Sequence, residues 1–510
     1  MVFSSNLFLF AFLPLTLLFY FSLPKKLVTK NIRNSILLVA SLLFYSWGEL
    51  QYLWLLVLSI VSNHFFGLMI ESRGKPSLEK RVDDRRAIRR VISPSLGHFL
   101  NHPSAAFSAS LPLLQRGLPV AVAVTFNLLL LCYFKYANFL VENLNHIFHL
   151  QIQNQKIHLP IGISFFTFHA ISYLIDIKRG KCKAQRNIFD LALYIAFFPQ
   201  LIAGPIVRYN FIEKYLSKRR HNFFATTYGV RRFIIGLGKK IIIANPLGEF
   251  ADAIFSSPVS ELSASAAWLG LVCYTLQIYF DFSGYSDMAV GLARIFGFKF
   301  PENFNYPYIS KSIQEFWRRW HMSLSAWFRD YVYIPLGGNR VSLARQYFNL
   351  VLVFFLCGLW HGASWNFVIW GLFHGFFLVL ERLKSVKNFL NFFPVVLRNC
   401  YAIFVVMIGW VFFRSPDLTY STGFLKVMFL GNEAAEISNQ VARLSNSHFV
   451  WMALGLALIG YSPLVKIAVA KLSKNKILAM ILDFILVAVF VLALVRLSAA
   501  THNPFIYFQF

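Results

Sequence analysis

The 510-residue chain is predicted to be an all-α polytopic membrane protein, and three observations predict it. Hydrophobic residues make up 57% of the sequence and charged residues only 14%, whereas a soluble domain carries about a quarter charged residues. Apolar runs approaching the ~20 residues that a bilayer-crossing helix needs recur from end to end. The basic excess, 49 Lys and Arg against 22 Asp and Glu, falls in short clusters between those runs, as cytoplasmic loops do in membrane proteins. Disorder, a coiled coil and an ordinary cytosolic enzyme are excluded. Because the basic residues are dispersed among apolar spans, the net charge of +27 argues for membrane lipids as surroundings and against nucleic acid as a partner.

The candidate helices, in order, are 4–23, 34–47, 52–70, 118–141, 159–177, 188–206, 228–246, 265–283, 347–380, 400–413, 448–470 and 477–497. They make roughly ten to twelve crossing or partly inserted segments. The first lacks a basic lead-in and a small-x-small cleavage site. Lys25, Lys26, Lys30 and Arg33 follow it, which places its far end in the cytoplasm. The insert 71–117 carries nine basic residues and four acids and is read as cytoplasmic. Lys178, Arg179, Lys181, Lys183 and Arg186 mark another cytoplasmic loop, yet Arg208, Lys214, Lys218, Arg219 and Arg220 follow only one apolar segment later. Pro199, Gly204 and Pro205 break that segment, so it is expected to enter and return on one side. No internal repeat is evident, and residues 1–510 are read as one integral-membrane domain.

Two regions concentrate chemistry. Region 299–345 combines Lys311, Glu315, Arg318, Arg319, Arg329 and Asp330 with Phe316, Trp317, Trp320, Trp327 and Phe328. Such charges do not face lipid, so a shielded or interfacial aromatic helix carrying His321 is expected. The stretch 347–380 has no Asp, Glu, Lys or Arg across its 34 residues. As one helix it would run about 51 Å, against a hydrocarbon core of ~30 Å. A break is expected at Gly358-Leu-Trp-His-Gly362, with His361 at the weak point.

An ionisable residue inside a membrane is a functional candidate; the plain alternative is a histidine that fixes bundle packing. A neutral imidazole in apolar surroundings can act as general base. For His321 the alternative is an aromatic-basic helix anchored at the headgroups. Asp281 and Asp287 flank Gly284, and a helix-capping role for Ser283 or Asp287 ahead of 288–297 is expected. Five scattered cysteines without a CxxC pair argue against disulfides and zinc, and no metal site is expected. No nucleotide loop or G-x-S-x-G elbow is present. An acyl-transfer enzyme built this way does not activate its own acyl group, so the donor must arrive as a thioester.

The runs Tyr279-Phe-Asp-Phe-Ser-Gly-Tyr-Ser-Asp-Met288, Phe304-Asn-Tyr-Pro-Tyr308, Phe316-Trp-Arg-Arg-Trp-His321 and Leu359-Trp-His-Gly362 resemble the membrane-bound O-acyltransferases. The similarity is closer to the bacterial branch that contains the alginate O-acetylation membrane protein. Pro160-Ile-Gly-Ile-Ser-Phe-Phe-Thr-Phe168, Ala203-Gly-Pro205, Tyr331-Val-Tyr-Ile-Pro-Leu-Gly-Gly338 and Phe505-Ile-Tyr-Phe-Gln-Phe510 fit that branch too. The resemblance spans nearly the whole chain; the insert 71–117 is longer than the connection usual there.

It implies a ring of tilted, partly re-entrant helices around a central tunnel in the bacterial inner membrane. A cytoplasmic thioester, acetyl-CoA or another acyl thioester, would enter one side and the acceptor would meet it from the other, with no bound cofactor. His361 and His321 take the positions of the family's two histidines. His361 is expected to act as base, His321 to orient or stabilise developing charge, and Trp317, Trp320 and Trp360 to line the passage. The resemblance further implies O-acetylation of an alginate-like or other surface polysaccharide through a periplasmic acetyltransferase partner. A carrier or flippase, a scaffold of an export complex, and D-alanyl transfer to teichoic acid are the alternatives.

Overall fold

The computed structural model describes residues 2–24, 29–74, 103–154, 156–432 and 446–499. Most of the basic insert, Lys25 and Lys26, and the terminal Phe505–Phe510 run lie outside the described residues. Among those described, every element is helical. Polar side chains start many of the helices: Thr29, Asn187, Asn222, Ser263, Ser312 and Asp417 each accept a hydrogen bond from a backbone N–H two or three residues on, satisfying donors that a helix start leaves unpaired.

Among the described residues, five stretches are long and apolar enough to cross a bilayer: Lys30–Arg73, Gly117–Phe148, Leu343–His361, Val395–Arg414 and Lys476–Ala499. A single 3-10 turn at Leu50–Tyr52 divides the first of them. Two sharply bent pairs, Trp365–Leu380 with Lys384–Phe392 and His448–Gly460 with Leu464–Leu472, bring the number to seven. Every candidate segment read from the sequence carries helix, and those outside this count are short or sit inside the bundle. A helix that touches protein rather than lipid is free to carry polar residues.

The helix Ala264–Ile295 shows this most clearly, being buried along most of its 32 residues. It corrects the capping expectation. Ser283 and Asp287 lie in mid-helix, and both carboxylates of this helix, Asp281 and Asp287, make ion pairs, the first of them fully buried. Asp281 meets Lys240 at 2.8 Å, and Asp287 meets Lys239 at 2.8 Å and Arg232 at 2.7 Å. Charges inside a membrane protein are tolerated when paired in this way.

Contacts bring the two basic segments on either side of 188–206 together. Arg208 forms an ion pair with Asp330 at 2.6 Å, and Arg179 donates to the Asp330 carbonyl at 3.0 Å. Gln185 donates to the Tyr209 hydroxyl at 2.9 Å. The two basic segments therefore share one face, and the chain between them turns back through Ile188–Ala196 and Phe198–Leu201.

Region 299–345 is not one helix. It holds two short ones, Ile313–Arg319 and Met322–Phe328, separated at Trp320–His321. The long apolar stretch does break, at Gly362–Ser364, starting from the last residue of the expected window; Gly358 stays helical. There it lets Leu343–His361 pack against Trp365–Leu380: a Cβ on Gly358 would collide with the Phe367 carbonyl and sit 3.3 Å from the Gly371 Cα.

Another close crossing joins Phe223–Gly238 to Ala264–Ile295 through two glycine pairs, Gly229 with Gly291 and Gly236 with Gly284. A Cβ on Gly284 would lie 2.8 Å from the Gly236 carbonyl oxygen, and one on Gly236 would lie 2.7 Å from the Met288 nitrogen. Small residues at such contacts let membrane helices approach closely. Gly284→Val is expected to destabilise the bundle by about 1–3 kcal/mol through overpacking, lowering the amount of folded protein in membranes. Gly455→Val, where a Cβ meets nothing within 4 Å, serves as control. Thermal unfolding of the detergent-solubilised variants, read by size-exclusion fluorescence, checks this; equal stability of the two would remove the argument.

Candidate active site

His361 is the last residue of Leu343–His361. A helix leaves its final four carbonyls without intrahelical partners, and here all four are satisfied. The Gly362 N–H donates to the Gly358 carbonyl at 3.3 Å. The Tyr136 hydroxyl donates to the Leu359 carbonyl at 2.7 Å. The Lys135 ammonium donates to the carbonyls of Trp360 and of His361, the latter at 3.2 Å. The imidazole of His361 then sits among Trp360, Trp370 and Phe413, with ring centroids 5.0, 5.1 and 5.0 Å away.

His321 is held differently. Its backbone is left-handed, with φ 42°, a conformation that costs a non-glycine residue about 1–3 kcal/mol. Asn303 makes the imidazole's orientation unambiguous. The Asn303 Oδ1 accepts from the Ser323 N–H at 3.2 Å and from the Ser323 hydroxyl at 2.9 Å, while its Nδ2 donates to Ser286 at 3.1 Å. Because that oxygen is an acceptor, His321 Nδ1, 3.1 Å away, is the protonated nitrogen. Neutral His321 therefore presents Nε2 as a bare acceptor, and this atom has no partner among the described residues.

Both histidines are buried and line one cavity of about 730 Å³. Trp317 and Trp320 line it as well. Trp360 does not; its ring packs edge-on against both imidazoles, 6.2 Å from His321, and against Phe165, and lies tilted over Phe168. The outward part of the cavity reaches Arg208, Arg318, Arg329 and Arg382, on the face that carries the basic loops. Burial pushes the Asp330 carboxyl up, but Arg329 and Arg208 beside it hold it below the usual carboxylate range. It thus stays ionised near neutral pH and offsets two of those cations. Arg318 and Arg382 have no carboxylate partner among the described residues. Within the same residues, no cluster of three or more His, Cys, Asp or Glu is placed to hold a metal ion.

The sequence reading missed two residues. Asn303 stands immediately before the Phe304–Tyr308 run, with no signal beyond that adjacency. Lys135 had a signal that was passed over: it is a lone cation in the apolar segment 118–141.

A site with two buried imidazoles, a cationic entrance and an apolar wall suits acyl transfer, and comparison with known proteins agrees. Residues 124–418 match the membrane-bound O-acyltransferase family. The chain is 39% identical to a probable alginate O-acetylase of Azotobacter vinelandii, with the whole of both chains covered. It is 41% identical to the corresponding Pseudomonas aeruginosa protein over 90% of this chain and 80% of that one. A peptidoglycan O-acetyltransferase of Helicobacter pylori is 36% identical over 86% and 84%. With its two buried histidines at the inner end of a cavity that opens on the basic face, this chain belongs to the membrane-bound O-acyltransferase family and is a multi-pass membrane acyltransferase.

Proposed function

We propose that the protein is an O-acetyltransferase of the bacterial inner membrane. It takes acetyl from a cytoplasmic thioester, acetyl-CoA or an acylated carrier protein, and passes it outward for O-acetylation of an alginate-like or other surface polysaccharide, through a periplasmic transferase. The observation that carries this reading is the cavity, which runs from uncompensated arginines to two buried imidazoles. The names of the A. vinelandii and H. pylori relatives support acetyl as the group and a surface glycan as its destination. Both candidate donors carry phosphate beside the pantetheine arm. Arg318 and Arg382 supply the planar, permanently charged donors that bind phosphate well.

The acceptor hydroxyl oxygen attacks the thioester carbonyl carbon while an imidazole nitrogen takes its proton. The tetrahedral intermediate then collapses, breaking the carbon–sulfur bond, and the departing sulfur leaves as thiol once the proton reaches it. The hydrogen bonds around Asn303 shift the expected roles. A bare Nε2 accepts a proton but does not donate to an oxyanion, so His321 fits the general base. His361 is the second imidazole at the reacting end, available to carry the proton to sulfur.

His321→Ala and His361→Ala are each expected to lower transfer by about 10²–10⁴-fold, the range typical of positioned acid–base groups, at normal membrane abundance. Ester-linked acetate on isolated surface polysaccharide from a complemented deletion strain is the readout. Full acetate in the deletion strain would overturn the polysaccharide reading. D-alanyl ester in its place would name another acyl group, and retained function in His361→Gln would favour a carrier.

The double variant Arg318→Ala, Arg382→Ala is expected to raise KM for acetyl-CoA at least tenfold with kcat within about threefold, since it removes binding remote from the reacting atoms. An unchanged KM for acetyl-CoA, with acetylated carrier protein as a second donor arm, would count against phosphate recognition at this mouth.

A further inference from the structure

Lys135 is a buried cation, 9% exposed, on the long helix Pro103–Phe148. Its surroundings differ from those of the other buried lysine of the bundle, Lys240, which sits 2.8 Å from a carboxylate of Asp281. No carboxylate pairs with Lys135 among the described residues. Its ammonium instead meets the last two carbonyls of Leu343–His361, with the Trp360 ring 5.9 Å away. The C-terminal end of a helix carries roughly half a negative charge, so the helix end itself is the counter-charge. One turn on, the same long helix reaches the other side of the break: Phe139 packs edge-on against Trp365 at 5.8 Å, and Asn143 accepts from the Trp365 indole N–H at 2.9 Å. Lys135, Tyr136, Phe139 and Asn143 thus grip both sides of the turn that bears His361.

We propose that Lys135 is a positioning residue, whose ammonium clamps the interrupted backbone at Trp360–His361 and thereby fixes where the His361 imidazole stands in the cavity. Lys135 lies on the backbone side of His361 and is not among the residues lining the cavity, so its action on the reaction passes through His361. Replacing it with a side chain that does not donate would leave two carbonyls in apolar surroundings with no water to take them up. The turn would then relax to find other donors, carrying the imidazole with it. The chemical consequence rests on the acyl-transfer reading of this site; the clamp itself does not.

The test uses the full chain in lipid nanodiscs, comparing wild type, Lys135→Met, Lys135→Arg and Tyr136→Phe. Hydrogen–deuterium exchange followed by mass spectrometry reports on the backbone, and acetyl-CoA turnover, read as released thiol, reports on chemistry. Lys135→Met is expected to speed exchange at least tenfold in peptides covering 359–365 and to leave the rest of the bundle within about twofold. Its kcat is expected to fall at least tenfold with KM for acetyl-CoA unchanged, and Lys135→Arg to restore both. If Lys135→Met does not assemble, Tyr136→Phe, which frees only the Leu359 carbonyl, should show the same localised exchange to a smaller degree. Wild-type exchange at 359–365 in the variants would overturn the clamp. Loosening spread evenly over the bundle would overturn it as well, leaving Lys135 a general stabiliser. A localised loosening with wild-type kcat would overturn the link to His361. Absence of turnover in the wild type would strike the acetyl-CoA reading instead, with the exchange arm still deciding the clamp.

Discussion

A helix that ends inside a membrane protein has no water to receive its last carbonyls, and the site depends on how this constraint is met. Lipid offers no hydrogen-bond donors, so an interrupted backbone is stable only where protein supplies them. At His361 the donors are a backbone N–H, a tyrosine hydroxyl and a lysine ammonium. Meeting the constraint there allows the chain to stop at the histidine rather than one turn later. The return helix then comes back close enough for Gly358 and Gly371 to touch. That closeness in turn brings Trp370 to the His361 ring.

The second imidazole is held by the opposite strategy. His361 has an ordinary backbone that is capped from outside, whereas His321 accepts a strained φ and is held through its side chain. The strain has a structural reason: a left-handed residue between two short helices turns the chain sharply, and the Met322 N–H then donates to the Asn303 carbonyl at 2.9 Å. Asn303 therefore grips this turn twice, by backbone and by side chain. Because Ser323 fixes which end of the Asn303 amide faces the imidazole, the protonated nitrogen of His321 is set by the fold and not by the ligand.

The sequence carried some of this and hid the rest for identifiable reasons. Membrane class, the broken segment at 347–380 and His361 as a candidate were readable because each departs from an apolar background: excess length, flanking glycines, an ionisable group without charged neighbours; His321 was readable as a candidate from the aromatic-basic run that carries it. The capping role assigned to Asp287 failed because a carboxylate beside a glycine looks the same whether it starts a helix or pairs with Lys239 and Arg232 in mid-helix. Only the fold brings those cations, some fifty residues earlier in the chain, to its side. Trp360 was expected to line the passage, and it shares a motif with His361. One residue of offset on a helix turns a side chain about 100°, and that separates a wall residue from one packed behind it. Asn303 was invisible for a similar reason, since its importance lies in a hydrogen bond across a turn whose shape no local pattern announces.

The distribution of charge along the cavity ties these parts together. Its entrance carries four arginines, of which Asp330 offsets two. Its inner end carries the two imidazoles beside indole and aliphatic groups, and Glu302, which also lines the cavity, is paired with Arg232. On the proposed reading, a phosphate-bearing donor would be held where solvent still shares the charge, while its thioester, which is uncharged, is the part that fits the apolar interior. The Lys135 ammonium, close behind the reacting end, is turned to backbone carbonyls and away from the cavity. On that reading binding and chemistry are separated in space by a gradient of polarity, and the basic excess behind the net charge of +27 also supplies the cations at the mouth.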